Sequence, residues 1–113
     1  MRNQVNLKMA LCEGRHEIPQ ATDGAIFGVI STELMKSEME LESIAYDAIV
    51  NASRKYKTES VVTDIDINLD LYVTGLTVAL VSVINVCRTH NIALTLYHFD
   101  RDVNDYFAQK VIY

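Results

Sequence analysis

Apolar residues recur along this chain with two different periods, and the alternation of the periods predicts strands followed by helices. Every second residue from Val5 to Leu11 is apolar, which is the pattern of a strand with one buried face. The segment turns fully apolar at its end and reaches Cys12. Further strands are predicted at residues 25–30 (a short strand or an irregular cover of the core), 69–73, 93–99 and 106–113.

Two other segments follow the helical period. Residues 31–57 carry one apolar stripe, and acidic residues precede basic ones along the segment, which complements the helix dipole. Ser37 and Glu40 fit a capping box at the start of this helix, and Thr32 is an alternative start. Residues 78–88 form a nearly continuous apolar run of about three helical turns. The stripe of the first helix consists of Leu41, Ile44, Ala45, Ala48, Ile49, Ala52 and Tyr56.

The order of these elements predicts the fold class. Strand, short segment, helix, strand, helix, strand and strand follow one another along 113 residues. This order predicts an α/β fold, a small Rossmann-like domain with a mostly parallel sheet, a C-terminal antiparallel hairpin and two main helices. The length fits a single domain over residues 1–113, and a hydrophobic content of 50% is enough for a packed core.

The charge balance narrows the range of partners. Ten basic residues among fifteen acidic ones give a net charge of −5, which argues against a protein that binds duplex nucleic acid through phosphates. A small anionic ligand remains compatible with this charge, because two or three donors suffice for it. The longest apolar run is interrupted by Ser82 and Asn85 and is too short to span a membrane. No secretory signal pattern opens the chain, so the predicted location is the cytoplasm.

Two cysteines lie in apolar segments. Cys12 falls at the end of the first predicted strand and Cys87 falls in the second predicted helix. We interpret both as reduced, buried thiols of a cytosolic protein. A disulfide or a metal-binding pair is the alternative.

The segment after the first strand is the first candidate ligand loop. It holds Arg15, His16 and Glu17 between Gly14 and Pro19. In open α/β sheets the ligand site lies at the carboxyl ends of the strands. Arg15 would clamp an anion there, and His16 would donate a hydrogen bond or transfer a proton. The alternative is a solvated loop in which Arg15 pairs with a neighbouring glutamate.

Two more loops are predicted at the same edge of the sheet. Thr74, Gly75, Leu76 and Thr77 form the turn between a strand and the second helix, where backbone N–H groups can face an anion. Right-handed crossovers would place the first predicted strand and the strands at residues 69–73 and 93–99 parallel, so that the three loops after them converge. The third loop carries Asp100 and Arg101.

The converging donors suit phosphate or ribose groups. They are Arg15, His16, Thr74, Thr77 and Arg101. If the protein catalyses a reaction, His16 and Glu17 are the candidate acid–base pair, although nothing in the pattern requires catalysis. The turn is neither a dinucleotide fingerprint nor a Walker loop, and the serines and cysteines lack a nucleophile context. No cofactor is predicted.

Three aspartates at and before the predicted strand at residues 69–73 have two interpretations. Asp64, Asp66 and Asp70 occupy alternate positions and would share one face of a strand. They could hold a divalent cation, or they could be the wet face of an edge strand. We favour the edge strand, because sites for hard cations usually draw ligands from loops with a glycine turn. No metal site is therefore predicted.

Three segments resemble small proteins of unknown function from phages and prophages. They are ALCEGRHEIPQATDGAIFG at residues 10–28, LYVTGLTVALVSVINVC at 71–87 and LTLYHFDRD at 94–102. The strand–TGLT–helix–strand unit is also similar in outline to the CARF-like domains, small Rossmann-like domains that bind cyclic oligonucleotides in bacterial defence. This resemblance implies a nucleotide-type ligand at the turn and, for a phage protein, the host cytoplasm. The chain departs from a site for a highly charged ligand, since the helix has no basic residue before Arg88.

Three functions are carried forward. The first is non-enzymatic binding of a small nucleotide-type ligand, with a cyclic nucleotide among the candidates, by a phage anti-defence protein that sequesters a host signal. The second is a small phosphodiesterase of the ring-nuclease kind, and the third is a protein inhibitor of a host enzyme. The last strand would leave an uncovered sheet edge, which predicts a homodimer or a higher closed assembly.

Overall fold

The computed structural model describes residues 3–14, 17–56 and 65–113, and the predicted α/β fold is confirmed. The two main helices are present, and a short third helix precedes them. The strands are β1 (Asn3–Cys12), β2 (Ala25–Phe27), β3 (Ile65–Tyr72), β4 (Ala93–Asp100) and β5 (Asp105–Lys110). The helices are α1 (Thr32–Met35), α2 (Glu38–Arg54) and α3 (Thr77–Thr89).

The five strands form one sheet in the order β2-β1-β3-β4-β5. The first four strands in this order are parallel to one another, and β5 runs antiparallel to β4. The mostly parallel sheet and the C-terminal antiparallel pair are therefore as predicted. The architecture is compatible with a small Rossmann-like domain.

Both long helices pack on one face of the sheet. The crossovers from β2 to β3 and from β3 to β4 move in the same direction across the sheet, so right-handed connections put α2 and α3 on the same side. Residues of the two helices share one core with the inward residues of four strands, β1 to β4. This core includes Leu7, Leu11, Leu41, Ala45, Ile49, Leu69, Leu71, Val83, Cys87 and Leu94.

The opposite face of the sheet carries no helix in the described part of the chain. Gln4, Asn6 and Lys8 of β1 point to this face and are exposed, as alternation along a strand requires. The side chains of Asn6 and Asn68 meet there across β1 and β3, with a hydrogen bond of 3.1 Å. We call this the open face. Between the parallel strands β1 and β2, the described residues 13–14 and 17–24 contain no helix.

The predicted helix over residues 31–57 is divided in two. Ser31 caps α1 by accepting a hydrogen bond from the Leu34 N–H, and Ser37 caps α2 by accepting one from the Glu40 N–H at 3.4 Å. The Ser37 start is confirmed. The apolar stripe was partly wrong, because Ile44 and Tyr56 are exposed. Tyr56 lies beyond the end of α2, where its hydroxyl binds Asp23 instead of packing in the core.

The interpretation of the acidic strand as an edge strand was wrong. β3 lies between β1 and β4 and is a central strand of the sheet. Asp66 and Asp70 point to the open face, which accounts for polar residues in a central strand. Asp70 is directly opposite Lys8 in the register. Asp64 lies outside the described residues, and no group of three or more metal-ligating side chains occurs among the residues that the structure does describe.

Both cysteines are free thiols. Cys87 is fully buried, and burial raises its pKa to about 12. Cys12 is half-buried, and burial raises its pKa although the hydrogen bond with Thr74 acts in the opposite direction. Neither environment favours a thiolate. Among the described residues, no helix is long and apolar enough to cross a membrane.

Candidate functional site

Three loops line one cavity at the carboxyl edge of the parallel strands. Each loop follows one of the strands β1, β3 and β4, and parallel strands place their carboxyl ends at the same edge. We call this cavity, of about 920 Å³, the edge cavity. Its volume lies in the range of small-molecule sites. The first loop contributes Gly14, Glu17, Ile18, Pro19 and Gln20, the second Val73, Thr74 and Gly75, and the third Arg101 and Asn104, followed by Asp105 and Tyr106 of β5 and joined by Phe99 of β4.

Four of the predicted site residues line the edge cavity. Glu17, Thr74, Gly75 and Arg101 come from three different loops and share this space. Arg101 is exposed, so its guanidinium is accessible to a ligand. Their roles as ligand-binding or catalytic groups stay predictions.

The other predicted site residues are placed differently. Leu76 lines a neighbouring cavity, and Thr77 is the exposed first residue of α3. The Asp100 carboxylate accepts a hydrogen bond of 2.9 Å from the Asp102 N–H, so it shapes the β4–β5 turn. Arg15 and His16 lie outside the described residues.

The turn after β3 presents the N-terminus of α3. Gly75 adopts a φ of +49°, which residues with a Cβ rarely take. Leu76 is the N-cap residue and provides no side-chain hydrogen bond to the first turn. The first N–H groups of α3 therefore have no side-chain cap, and they carry the positive end of the helix dipole. Gly75, at the wall of the edge cavity, leads directly into them.

A second cavity lies where the strand connections diverge. The chain leaves β1 toward β2 on one side and leaves β3 toward β4 on the other, which is the crevice where open α/β sheets place their ligands. This cavity of about 390 Å³ is lined by Cys12, Gly28, Leu76 and neighbouring residues. The Cys12 N–H donates a hydrogen bond of 3.3 Å to Thr74 Oγ1 across the crevice. The Thr74 hydroxyl can still donate its own proton to a ligand.

The charges at the edge cavity are mixed. Arg101 is accompanied by the carboxylates of Glu17 and Asp105. The Asp105 carboxylate also accepts a hydrogen bond of 2.8 Å from the Tyr106 N–H. Two carboxylates near one guanidinium disfavour an anion of high charge, because like charges in a shared site repel. The described wall therefore suits a ligand with few phosphates.

The sequence reasoning missed an aromatic cluster on the open face. Tyr72 stacks on Tyr97 with ring centroids 4.8 Å apart, and the ring of Tyr106 meets that of Tyr72 edge-on at 5.0 Å. Phe99 and Tyr106 are 5.3 Å apart. Phe99 and Tyr106 also line the edge cavity. The sequence of β4 already indicates part of this cluster, because Tyr97 and Phe99 are two residues apart and therefore lie on the same face of the strand.

Two histidines have structural partners. The Nε2 atom of His98 is 2.8 Å from Gln109 Oε1 on the neighbouring strand β5. The ring of His90, after the last turn of α3, lies 4.3 Å from that of Tyr46. Neither residue lines the two cavities described above.

Comparison with protein-family models, with curated proteins and with solved structures gives no match to this chain.

Proposed function

We propose that this protein binds a small nucleotide-type anion in the edge cavity and does not convert it. The observation that carries the proposal is the cavity itself, which brings Arg101, Thr74 and Gly75 together from two loops at the carboxyl edge. A guanidinium and a hydroxyl are ordinary partners of phosphate and ribose oxygens. The uncapped N-terminus of α3 next to Gly75 adds a positive end of a dipole.

The composition of the wall supports binding without turnover. In its described part the wall offers Glu17 and Asp105 as titratable acids, and it contains no histidine, cysteine or serine. Glu17 and Asp105 can act as general bases, but the described wall places no histidine, cysteine or serine beside them as a nucleophile to activate. Arg15 and His16, which follow Gly14 in the sequence, remain predicted contributors to the same site.

A titration tests this proposal. Calorimetry with AMP, ATP, cyclic AMP and cyclic di-AMP is expected to give binding of at least one of them. Arg101→Gln should lower that affinity by about tenfold or more, because a charge-assisted hydrogen bond is lost. Arg54→Gln, at the last turn of α2, is the matched control and should bind as the wild type does. Absence of binding at millimolar concentrations, or equal binding by Arg101→Gln, would refute the proposal.

One observation favours an enzymatic alternative. Glu17 lines the edge cavity, and the predicted acid–base pair would be His16 with Glu17. A phosphodiesterase of this kind would consume its cyclic nucleotide, so mass spectrometry of the ligand after incubation separates the two functions. Loss of turnover in His16→Ala, with binding and folding kept, would establish the enzyme. A ligand that binds in calorimetry and is recovered intact would establish the binder.

We also propose a biological role for the binder. The resemblance to phage and prophage proteins and to CARF-like domains supports a phage protein that acts in the host cytoplasm and sequesters a nucleotide signal of host defence. Expression in a bacterial host with such a defence should then permit phage growth, and Arg101→Gln should abolish the effect. Equal phage growth with the variant and with the wild type would contradict sequestration at the edge cavity.

Finally, we propose that two copies of the chain pair through β5. This strand lies at the edge of the sheet, and its residues are largely exposed. Within the described part of the chain no strand pairs with the outer side of these six residues, and a free strand edge presents N–H and C=O groups that a second copy can pair with.

A further inference from the structure

We propose that the exposed ring of Phe99, braced by the ring of Tyr106, forms a stacking platform for a planar nucleobase in the edge cavity. This inference rests on the proposed function and names the part of the ligand that the cavity holds besides a phosphate. The ligand is then a nucleotide whose base stacks on the protein, and any of the bases can do so.

The first support is the geometry of the rings. Phe99 and Tyr106 are directly opposite each other on β4 and β5, with ring centroids 5.3 Å apart and ring planes inclined at 62°, so the Tyr106 ring supports that of Phe99 without sharing its face. Phe99 is 47% exposed although it is a large apolar side chain. An apolar ring half exposed at the wall of a cavity offers a surface that a ligand can cover.

The second support is the rigidity of the platform. The ring of Tyr106 meets that of Tyr72 edge-on, and Tyr72 in turn stacks on Tyr97. Burial raises the pKa of Tyr72, so this buried phenol stays neutral at pH 7. The platform therefore sits on packed rings of two central strands, and a ligand would not have to order it.

The third support is the position of the platform within the cavity. Arg101 follows Phe99 by two residues and opens the turn between β4 and β5, so their Cα atoms are at most about 7 Å apart. A ligand of nucleotide size can thus touch the ring and the guanidinium together. Ile18 and Pro19, from the loop after β1, line the same cavity and provide further apolar surface. Stacking of a base on an aromatic ring is favourable for every base, because every base has a π-face.

Paired ligands that differ only in the base test the inference. Calorimetry is run with AMP and GMP against ribose 5-phosphate, which keeps the sugar and the phosphate. The variants are Phe99→Leu, which keeps apolar volume and loses the ring, and Phe107→Leu as a matched control. Phe107 is the next residue after Tyr106 on β5 and points to the other face of the sheet, where its ring contacts His98. Urea denaturation checks that both variants remain folded.

The platform predicts a specific pattern. AMP and GMP should bind at least about fivefold more tightly than ribose 5-phosphate to the wild type, in line with the measured contributions of single stacked bases. Phe99→Leu should remove this difference and leave the affinity for ribose 5-phosphate unchanged. Phe107→Leu should preserve the difference. The base protons H2 and H8 of AMP should shift upfield on binding to the wild type and less on binding to Phe99→Leu.

Three results would overturn the inference in distinguishable ways. If AMP, GMP and ribose 5-phosphate bind equally, the platform is refuted and the phosphate site of the proposed function stands. If Phe99→Leu weakens all three ligands alike, Phe99 only shapes the cavity. If none of the three binds, the platform is refuted together with binding of mononucleotides at this edge.

Discussion

Asp23 shows how one residue can connect three parts of the structure. Its carboxylate accepts a hydrogen bond of 2.8 Å from the Lys8 N–H of β1, and it contacts Lys55 and the Tyr56 hydroxyl after the end of α2. Burial acts to raise the pKa of Asp23, but these hydrogen bonds outweigh burial and hold the pKa below its ordinary value. The ionised form is therefore the one that the fold stabilises.

We expect Asp23→Asn to lower the free energy of unfolding by about 1 kcal/mol at pH 7, the scale of hydrogen bonds to a charged group near the surface. Because the pKa is lower in the folded state, this stabilisation is present above the unfolded pKa of about 3.9 and is lost as the pH falls through the folded value. The difference from the wild type should therefore shrink below about pH 4. Urea denaturation at pH 7, 5 and 3 measures it, with Asp47→Asn on the exposed side of α2 as the control. Equal stability of both variants at pH 7 would show that the contacts of Asp23 with β1 and with the residues after α2 do not stabilise the fold.

At the scale of elements, the strand–turn–helix unit from β3 to α3 depends on one backbone conformation. Gly75 has a positive φ, and nothing lies within 4 Å of the place where a Cβ would be. A side chain at this position is thus disfavoured by the backbone and not by crowding. The unit was predicted from its glycine and from the change of period around it, and both helix start and strand end are close to the prediction.

We expect Gly75→Ala to destabilise the protein by about 1 kcal/mol, the cost of a left-handed conformation for a residue with a Cβ. Gly28→Ala is the control, since its added Cβ would meet Glu13 Oε2 at 4.0 Å, an ordinary contact, and its φ is not positive. The control should change stability by less than about 0.5 kcal/mol. Urea denaturation measures the free energy of unfolding of both variants. If Gly75→Ala is destabilised no more than Gly28→Ala, the left-handed conformation of Gly75 does not require glycine.

At the scale of the whole molecule, β5 forms a sheet edge that a second copy can extend. The Val111 N–H donates to the Leu94 carbonyl, 2.9 Å away, so by alternation the N–H groups of Gln109 and Phe107 face β4. Those of Ala108 and Lys110 then face away from the sheet. Proline at an outward-facing position removes an edge donor without breaking the inner ladder.

We expect the wild type to elute from gel filtration at micromolar concentration as a dimer, with twice the chain mass of 12.8 kDa. Ala108→Pro should elute as a monomer, because it lacks an outward N–H in the middle of β5. Light scattering on the column gives both masses. A monomeric wild type would refute pairing through β5, and a dimeric Ala108→Pro would place the interface elsewhere.

Local patterns were sufficient for the elements and for part of the site. The alternation from Val5 to Leu11, the apolar run of α3 and the glycine turn at Gly75 each depend on neighbours in the sequence, so period and turn chemistry reveal them. The parallel direction of three strands followed from the length of their connections. The three loops that line the edge cavity follow from that direction, because parallel strands end at one edge.

Only the tertiary structure decided what depends on residues distant in the sequence. The central place of β3 is set by its pairing with β1 and β4, so Asp66 and Asp70 do not lie on an edge strand. They lie instead on the face of the sheet that the described helices leave open. Tyr56 is drawn from the apolar stripe to Asp23, 33 residues away. Phe99 and Tyr106 become the wall of a cavity because one face of the described sheet has no helix over it. The sequence by itself thus determined the elements and their order, whereas the pairing of strands and the covering of faces required the folded chain.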